Sequence, residues 1–231
     1  MQKNILRQAL VGMIVIVAGF VASSTALSGE GSSIKKVAIV SFTVSDVAGS
    51  VRSGSVGSTS VPDLIKSTVN GMLNDAEKRL GKKWAVTKVS GFINNAVYRK
   101  AGVPKTLSVF VPKVNGREMP VFTEVSKEIK GGQLDPQKAK QLCKALNVDA
   151  VVLIFSEWSA KTGSFVPTTK AITKNVFTVW DRNGEQVIKK RVDTVGKKTL
   201  GAGGIKAVNK ETIGEWHESF KISMDKIISS L

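Results

Sequence analysis

Two short apolar runs in the chain have the length and composition of buried β-strands. Residues 37–42 read VAIVSF and residues 150–155 read AVVLIF. Nearly continuous apolar runs of this length suit strands that are covered on both faces of a sheet. We therefore predict that both segments are central strands. Residues 84–92 alternate between apolar and polar positions, which predicts a further strand.

Apolar residues at intervals of three and four positions predict a helix next to each of the two buried strands. The first begins at Ser60, has Pro62 in its first turn and ends at Gly81. The second begins at Asp135 and ends at Asn147, a residue that tolerates the left-handed conformation at a helix end.

The last part of the chain predicts a β-hairpin followed by a helix. Residues 172–180 and 186–195 flank the sequence Asp-Arg-Asn-Gly, which is typical of a tight turn. Residues 213–231 then carry apolar side chains at helical spacing. Thr212 and Glu215 have the spacing of a capping box, which predicts that this helix begins at Thr212.

Two segments lack a regular pattern of apolar positions. Residues 43–60 are rich in Gly and Ser and predict a long flexible loop. Residues 93–134 are irregular, although Asn115-Gly116 predicts a hairpin turn. Prolines on both sides of that turn leave an edge ribbon and an ordered loop equally open.

The element order is therefore β-α-β-α-β-β-β-α. It predicts an α/β fold with a single mixed sheet of about five strands and three main helices packed on it. Residues 29–231 have a length that suits one domain of this kind.

The first 28 residues have the three parts of a secretory signal peptide. Lys3 and Arg7 give a basic start, residues 9–22 are an uninterrupted apolar run, and small residues follow up to Ser28. We predict cleavage after Ala26 or Ser28 and export to the periplasm. The alternative is a signal anchor in the inner membrane, because about 20 apolar residues suffice to span the bilayer.

The charge and the cysteine count narrow the class of protein further. The formal net charge is +16, and removal of Lys3 and Arg7 leaves 16 − 2 = +14. Residues 161–210 hold much of this excess. Such a balance favours polyanions or anionic membrane surfaces as partners. The single cysteine, Cys143, forms no intrachain disulfide and lies at an apolar helix position, which predicts a buried and inert thiol.

The basic hairpin supplies a candidate anion-binding surface. Lys189 and Arg191 project from one face of the predicted strand, and Lys197 and Lys198 follow them. The alternative is that these cations only keep the protein soluble or protect an edge strand from pairing. Specific nucleic-acid recognition is not expected, because the neighbouring aromatic side chains fall on opposite faces of their strand.

Polar residues near the ends of the two buried strands supply a candidate ligand-binding rim. Asp46 follows the first strand, and Glu157 and Trp158 follow the second. Ligand sites of parallel α/β sheets lie beyond the carboxyl ends of the strands. The alternative interpretation is that the two carboxylates are solvated or form ion pairs with nearby lysines.

No motif in the sequence points to catalysis, a metal or a cofactor. The Gly/Ser-rich segment lacks the lysine of a phosphate-binding loop. The only histidine, His217, lies beside Glu215 and Glu218 in a helix, which predicts a side chain that faces solvent. We therefore expect no catalytic residue, no metal site and no cofactor.

Two segments resemble a known class of bacterial periplasmic α/β domains. They are residues 35–42, KKVAIVSF, and residues 139–152, with the pattern A-x-x-L-C-x-x-L-x-V-D-A-V-V. They resemble the amino-terminal domain of the Tol-system propeller protein and the curli-secretion channel lipoproteins. The resemblance implies a non-enzymatic role in binding or assembly within the envelope. The chain lacks the lipid-modified cysteine of the lipoprotein members.

The sequence thus predicts an exported, periplasmic and non-enzymatic binding or envelope-assembly module with an envelope protein as its partner. A first alternative is a basic protein that binds a polyanion or an anionic membrane surface. A second alternative is an enzyme with a site at the strand rim near Asp46 and Glu157.

Overall fold

The computed structural model describes residues 34–45, 55–56, 59–105, 108–163, 168–202 and 210–231, which belong to one compact unit. The predicted signal peptide lies outside these residues, so it stays a prediction. The strands are β1 (Lys36–Ser45), β2 (Ser55–Val56), β3 (Thr59–Ser60), β4 (Ala85–Thr87), β5 (Val109–Phe110), β6 (Lys113–Val114), β7 (Arg117–Glu118), β8 (Ala150–Thr162), β9 (Thr168–Asp181) and β10 (Gln186–Ala202). The helices are α1 (Val61–Leu80), α2 (Val89–Phe92), α3 (Ala96–Ala101), α4 (Ser126–Gly131), α5 (Pro136–Leu146) and α6 (Lys210–Ser229).

The main sheet is mixed, with the strand order β10-β9-β8-β1-β4 and β5 paired to the end of β1. β1 runs parallel to both β4 and β8. β8, β9 and β10 form an antiparallel meander. The predicted fold class is confirmed, because a single mixed sheet carries helices and the long elements follow the predicted order.

The apolar runs explain why β1 and β8 occupy the centre of the sheet. Every residue of β1 between its two ends is buried, and so are the first seven residues of β8. The helices α1 and α6 cover one face, where Phe42 of β1 meets Phe220 of α6 edge to face at 5.6 Å. The other face meets α4 and α5.

The predicted ends of α1 and α5 are confirmed by their capping contacts. The Ser60 hydroxyl accepts a hydrogen bond from the backbone N–H of Asp63 at the start of α1. The Asp135 carboxylate accepts two N–H bonds at the start of α5, and Asn147 closes that helix with a left-handed φ of 49°. Each cap satisfies backbone groups that a helix end leaves unpaired.

Two predicted boundaries were wrong for identifiable reasons. The strand predicted at residues 84–92 ends at Thr87, and α2 follows, because Val89, Phe92 and Ile93 have helical spacing and are all buried. β1 extends to Ser45 into the predicted loop, since Thr43 and Val44 are buried. Residues 46–54 lie outside the described part of the chain.

The predicted capping box of the C-terminal helix was also wrong. α6 begins at Lys210, so Thr212 lies inside its first turn. The Glu215 carboxylate instead accepts a bond from the backbone N–H of Lys198 at 3.3 Å. Glu215 thus links α6 to β10.

The described part of the segment at residues 93–134 contains several short elements. Asn115 and Gly116 adopt φ values of 49° and 79° between β6 and β7, which confirms the predicted turn but with arms of two residues each. The helices α3 and α4 and the strand β5 also lie here. Their lengths are too short for a periodic pattern to identify them.

Asp149 fastens the start of β1 to the start of β8. Its Oδ2 accepts hydrogen bonds from the backbone N–H groups of Lys35 at 2.9 Å and Lys36 at 2.8 Å, and its Oδ1 lies 2.6 Å from the Arg182 guanidinium. Partial burial acts to raise the pKa of Asp149, but the two N–H donors and Arg182 outweigh it and lower that pKa below its ordinary value.

Candidate functional site

One face of the β8–β9–β10 meander is half-buried or exposed along much of its length. Register partners show which side chains share it, because residues directly opposite one another in an antiparallel pair point to the same side. We call this surface the open face. It consists of Glu157, Ser159, Lys161, Lys170, Ile172, Lys174, Lys189, Arg191, Asp193 and Val195.

Two of the cations on the open face are neutralised by neighbours on the same face. Lys174 Nζ lies 2.6 Å from Glu157 Oε1, directly across the β8–β9 pair. Arg191 Nε lies 3.2 Å from Asp193 Oδ1, two residues along β10. The hydrogen bond and charge of Asp193 raise the pKa of Arg191 above its ordinary value.

The other cations of the open face are not neutralised. Lys161 and Lys170 are register partners, so two like charges lie directly opposite each other. Like charges in this arrangement destabilise a sheet unless an anion lies between them. Neither of them, nor Lys189, forms an ion pair with a carboxylate in the part of the chain that the structure describes.

Apolar side chains lie beside the lysine pair. Ile172 is half-buried, and its register partner Val195 is 47% exposed. These two residues occupy the row between the Lys161–Lys170 pair and the Glu157–Lys174 pair. The open face therefore presents unneutralised cations and accessible aliphatic side chains on the same side of the sheet.

The structure divides the four residues of the predicted anion-binding surface. Lys189 and Arg191 are exposed and share the open face, as the strand alternation predicts. Lys197 is also exposed. Lys198 contacts Glu215 of α6 on the other side of the sheet, with Nζ 3.7 Å from Oε1, and so it does not join Lys189.

Of the predicted ligand rim, the structure describes Glu157 and Trp158, and it places them on opposite faces of β8. Asp46 lies outside the described residues. β1 and β8 are parallel, but β8 continues to Thr162, so Glu157 and Trp158 lie within the strand on opposite faces. Trp158 is buried and stacks on Trp216 at 5.5 Å between ring centroids.

Sequence reasoning missed the pairing of Lys161 with Lys170 because it ended the second buried strand at residue 155. Residues 156–162 alternate between buried and accessible positions up to Trp158, and the buried side faces α6. The excess of lysine over residues 161–210 was the available signal, but charge alone gives no register.

His217 was predicted to face solvent, and that prediction was wrong. Its Nε2 lies 2.8 Å from Asp75 Oδ2 of α1, and the imidazole is 23% exposed. Arg79 contacts the same Asp75 at 2.9 Å and also reaches Asp225 of α6 at 3.0 Å. These four residues join α1 to α6 through the His217–Asp75 hydrogen bond and the ion pairs of Arg79.

A groove of about 510 Å³ lies between α1 and β4, where burial raises the pKa of Glu77 although its carboxylate accepts the Val89 N–H. Among the described residues there is no cluster of three metal-ligating side chains. None of the helices in those same ranges is long and apolar enough to cross a bilayer.

The Cys143 thiol is buried in α5, as predicted. Burial, with the nearby charge of Asp181, raises its pKa to about 11. Its Sγ lies 3.8 Å from the Trp180 carbonyl oxygen and 4.0 Å from that of Asp149. These distances are too long for a serine hydroxyl to form good hydrogen bonds.

We predict that the thiol of the native protein resists thiol reagents at pH 8 and reacts only when the protein is unfolded. We also predict that Cys143→Ser lowers the free energy of unfolding by about 1–3 kcal/mol. Because the native pKa is raised, this thiol favours folding below pH 9.0, the pKa of an unperturbed thiol, and that contribution falls as the pH rises towards 11. Timed labelling with and without urea tests the first point. Complete labelling of the folded protein within minutes would contradict the buried position of α5.

Comparison with known proteins finds solved structures of low similarity to this chain. No protein-family model matches the sequence, and no curated protein matches it. Lipoprotein GNA1162 from Neisseria meningitidis is 11% identical with a TM-score of 0.36, over 78% of this chain and 90% of that chain. The hypothetical protein CT253 from Chlamydia trachomatis is 10% identical with a TM-score of 0.40, over 85% and 95%. The resemblance to the Tol and curli proteins stays a prediction.

Proposed function

We propose that this protein is an exported, non-enzymatic binding module that docks through its open face onto an anionic phospholipid surface of the bacterial envelope. Export is supported by the signal-peptide pattern of residues 1–28. A binding role is supported by an accessible and basic sheet face. The expectation that the protein is not an enzyme remains part of this proposal.

The observation that carries the proposal is the unneutralised pair of Lys161 and Lys170. Two cations directly across a ladder repel each other, and no described carboxylate relieves that repulsion. A phosphate group between the two ammonium groups would convert the repulsion into two charge-assisted hydrogen bonds. The pair is therefore better suited to an occupied anion site than to a free surface.

The aliphatic row favours a lipid surface over a soluble polyanion. Ile172 and Val195 lie next to the lysine pair, and Val195 is 47% exposed. A face that presents both cations and aliphatic groups gains electrostatic attraction to lipid head groups and hydrophobic contact with the acyl boundary. A soluble polyanion gains only from the cations, and the aliphatic groups would remain in water.

We expect the purified protein to sediment with phosphatidylglycerol-containing vesicles and not with phosphatidylcholine vesicles, and to be released by salt. The double variant Lys161→Glu/Lys170→Glu should bind at least about thirtyfold more weakly, because each lysine near an anionic surface contributes about 1 kcal/mol. Its unfolding in urea should be unchanged, since one like-charge pair replaces another. Val195→Ser should weaken vesicle binding but leave retention on heparin unchanged.

The matched control is Lys140→Glu/Lys144→Glu on α5, which changes the same net charge at two exposed lysines with no ion-pair partner among the described residues. Equal losses for both double variants would show attraction by net charge alone and would overturn the proposal. Absence of vesicle binding, or heparin binding without vesicle binding, would overturn it as well. The second of these results would favour a soluble polyanion.

A further inference from the structure

The strand β10 is an edge of the main sheet and is unusually long for that position. It spans 17 residues and pairs with β9 on one side, and no described strand pairs with it on the other. A long edge strand presents a row of backbone N–H and C=O groups to any strand that approaches. Natural edge strands are more often short or interrupted.

The middle of β10 has none of the irregularities that prevent edge pairing. Residues 188–195 pair with β9 in one continuous register, and the register shifts lie before and after this segment. Ile188 and Val192 point to the α6 side and are only partly buried against the core. Apolar edge positions therefore remain partly accessible along the same stretch.

We propose that β10 pairs with β10 of a second copy of this chain, antiparallel and with Val192 on the two-fold axis. The resulting dimer extends the sheet of one copy directly into that of the other. The partner is fixed as a second copy by the charge pattern of β10 itself.

A two-fold axis perpendicular to the sheet must place one residue of β10 opposite the same residue of the second copy, because residues opposite each other must lie on the same face. With Val192 on the axis, Arg191 lies opposite Asp193 of the second copy, and Asp193 opposite its Arg191. Lys190 then meets Thr194, and Lys189 meets Val195, so no like charges are opposed.

The neighbouring registers all oppose like charges. An axis at Arg191 places two arginines opposite each other, and an axis at Asp193 places two aspartates there. An axis at Lys190 opposes Lys189 to Arg191, and an axis at Thr194 opposes Arg191 to Lys197. Opposite charges across a ladder stabilise it and like charges destabilise it. Among the axes at residues 190–194, which lie within the continuous register of β10, only the axis at Val192 opposes no like charges.

The axis is perpendicular to the sheet, so both open faces lie on the same side of the dimer. The inference stands apart from the proposed membrane docking, because self-association is measured without vesicles. A monomer that binds vesicles would overturn the dimer and leave the membrane docking standing. A dimer that does not bind vesicles would do the reverse.

The test uses two charge reversals that are complementary to each other. We expect the purified protein to associate reversibly at about 1–100 µM in analytical ultracentrifugation, the range in which a small interface is populated. In Arg191→Asp, an aspartate at position 191 lies opposite Asp193 of the second copy on both sides of the axis. In Asp193→Arg, the same two positions oppose two arginines. For each variant alone, the dissociation constant of the dimer should rise at least roughly tenfold. An equimolar mixture should form a heterodimer, since every opposed pair is again of opposite charge.

The double variant Arg191→Asp/Asp193→Arg should regain the homodimer, and the Lys140→Glu/Lys144→Glu variant should associate like the unchanged protein. A wild-type protein that stays monomeric throughout the range would overturn the inference. Single variants that associate as strongly as wild type, or a mixture that stays monomeric, would overturn it too.

Discussion

Replacing Trp216 with alanine is expected to lower the free energy of unfolding by about 3–5 kcal/mol, as for other large buried aromatic side chains. Trp216 is 1% exposed and stacks in parallel on Trp158 of β8. Its Nε1 donates a 2.8 Å hydrogen bond to the Ser159 carbonyl oxygen. The substitution removes the ring, the stacking contact and this hydrogen bond together, at the point where α6 meets the meander.

Urea unfolding followed by circular dichroism measures this effect. Trp216→Phe keeps an aromatic ring and loses the N–H donor, so it should cost less than the alanine variant. Glu218→Ala on the exposed side of α6, where Glu218 forms an ion pair with Lys221, should change stability by less than about 0.5 kcal/mol. A loss below about 1 kcal/mol for Trp216→Ala would show that α6 does not pack on the sheet as described.

Replacing Asp149 with alanine is expected to lower the free energy of unfolding by about 2–4 kcal/mol, because it leaves two backbone donors and a guanidinium without the carboxylate that they contact. The donors are the N–H groups of Lys35 and Lys36 at the start of β1, and the guanidinium is that of Arg182. The change thus weakens the junction of the two central strands. Thermal unfolding at neutral pH measures the loss.

The pH dependence of stability gives a second measurement on the same carboxylate. The native pKa of Asp149 lies below its ordinary value of 3.8, so the carboxylate stabilises the fold above that pH. The contribution is lost as the pH falls through the native pKa. Asp149→Asn, which does not titrate, should therefore lose less stability than wild type below pH 4. A parallel acid profile for both proteins would show that Asp149 is not held as described.

The sequence predicts those elements whose ends are marked by local chemistry. Asp135, Pro136 and Asn147 enclose α5 with side-chain and backbone contacts that involve only neighbouring residues, so the prediction and the structure agree. The central strands were predictable for a different reason. A strand that is buried on both faces needs apolar residues at nearly every position, and this requirement is visible in the sequence alone.

The rest depends on partners that are distant in sequence. The polar second half of β8 is a strand because β9 pairs with it and α6 covers one side, and neither fact can be read from residues 156–162. His217 likewise contacts Asp75 from 142 positions away in the chain. The candidate site shares this property, because the opposition of Lys161 and Lys170 depends on a register that no local pattern encodes.

The parallel pairing of β1 with β8 also has a consequence for how the chain folds. Val37 is paired with Ala150, more than a hundred residues later, whereas the nearer neighbour β4 offers a strand of only three residues. β1 therefore cannot pair with β8 until about two-thirds of the chain has been synthesised. Pairings of such long range fold slowly and leave apolar segments exposed in the interval. The meander, built from adjacent strands, has no such delay. β1, whose interior residues are all buried in the folded protein, is therefore the strand that most needs protection before folding is complete.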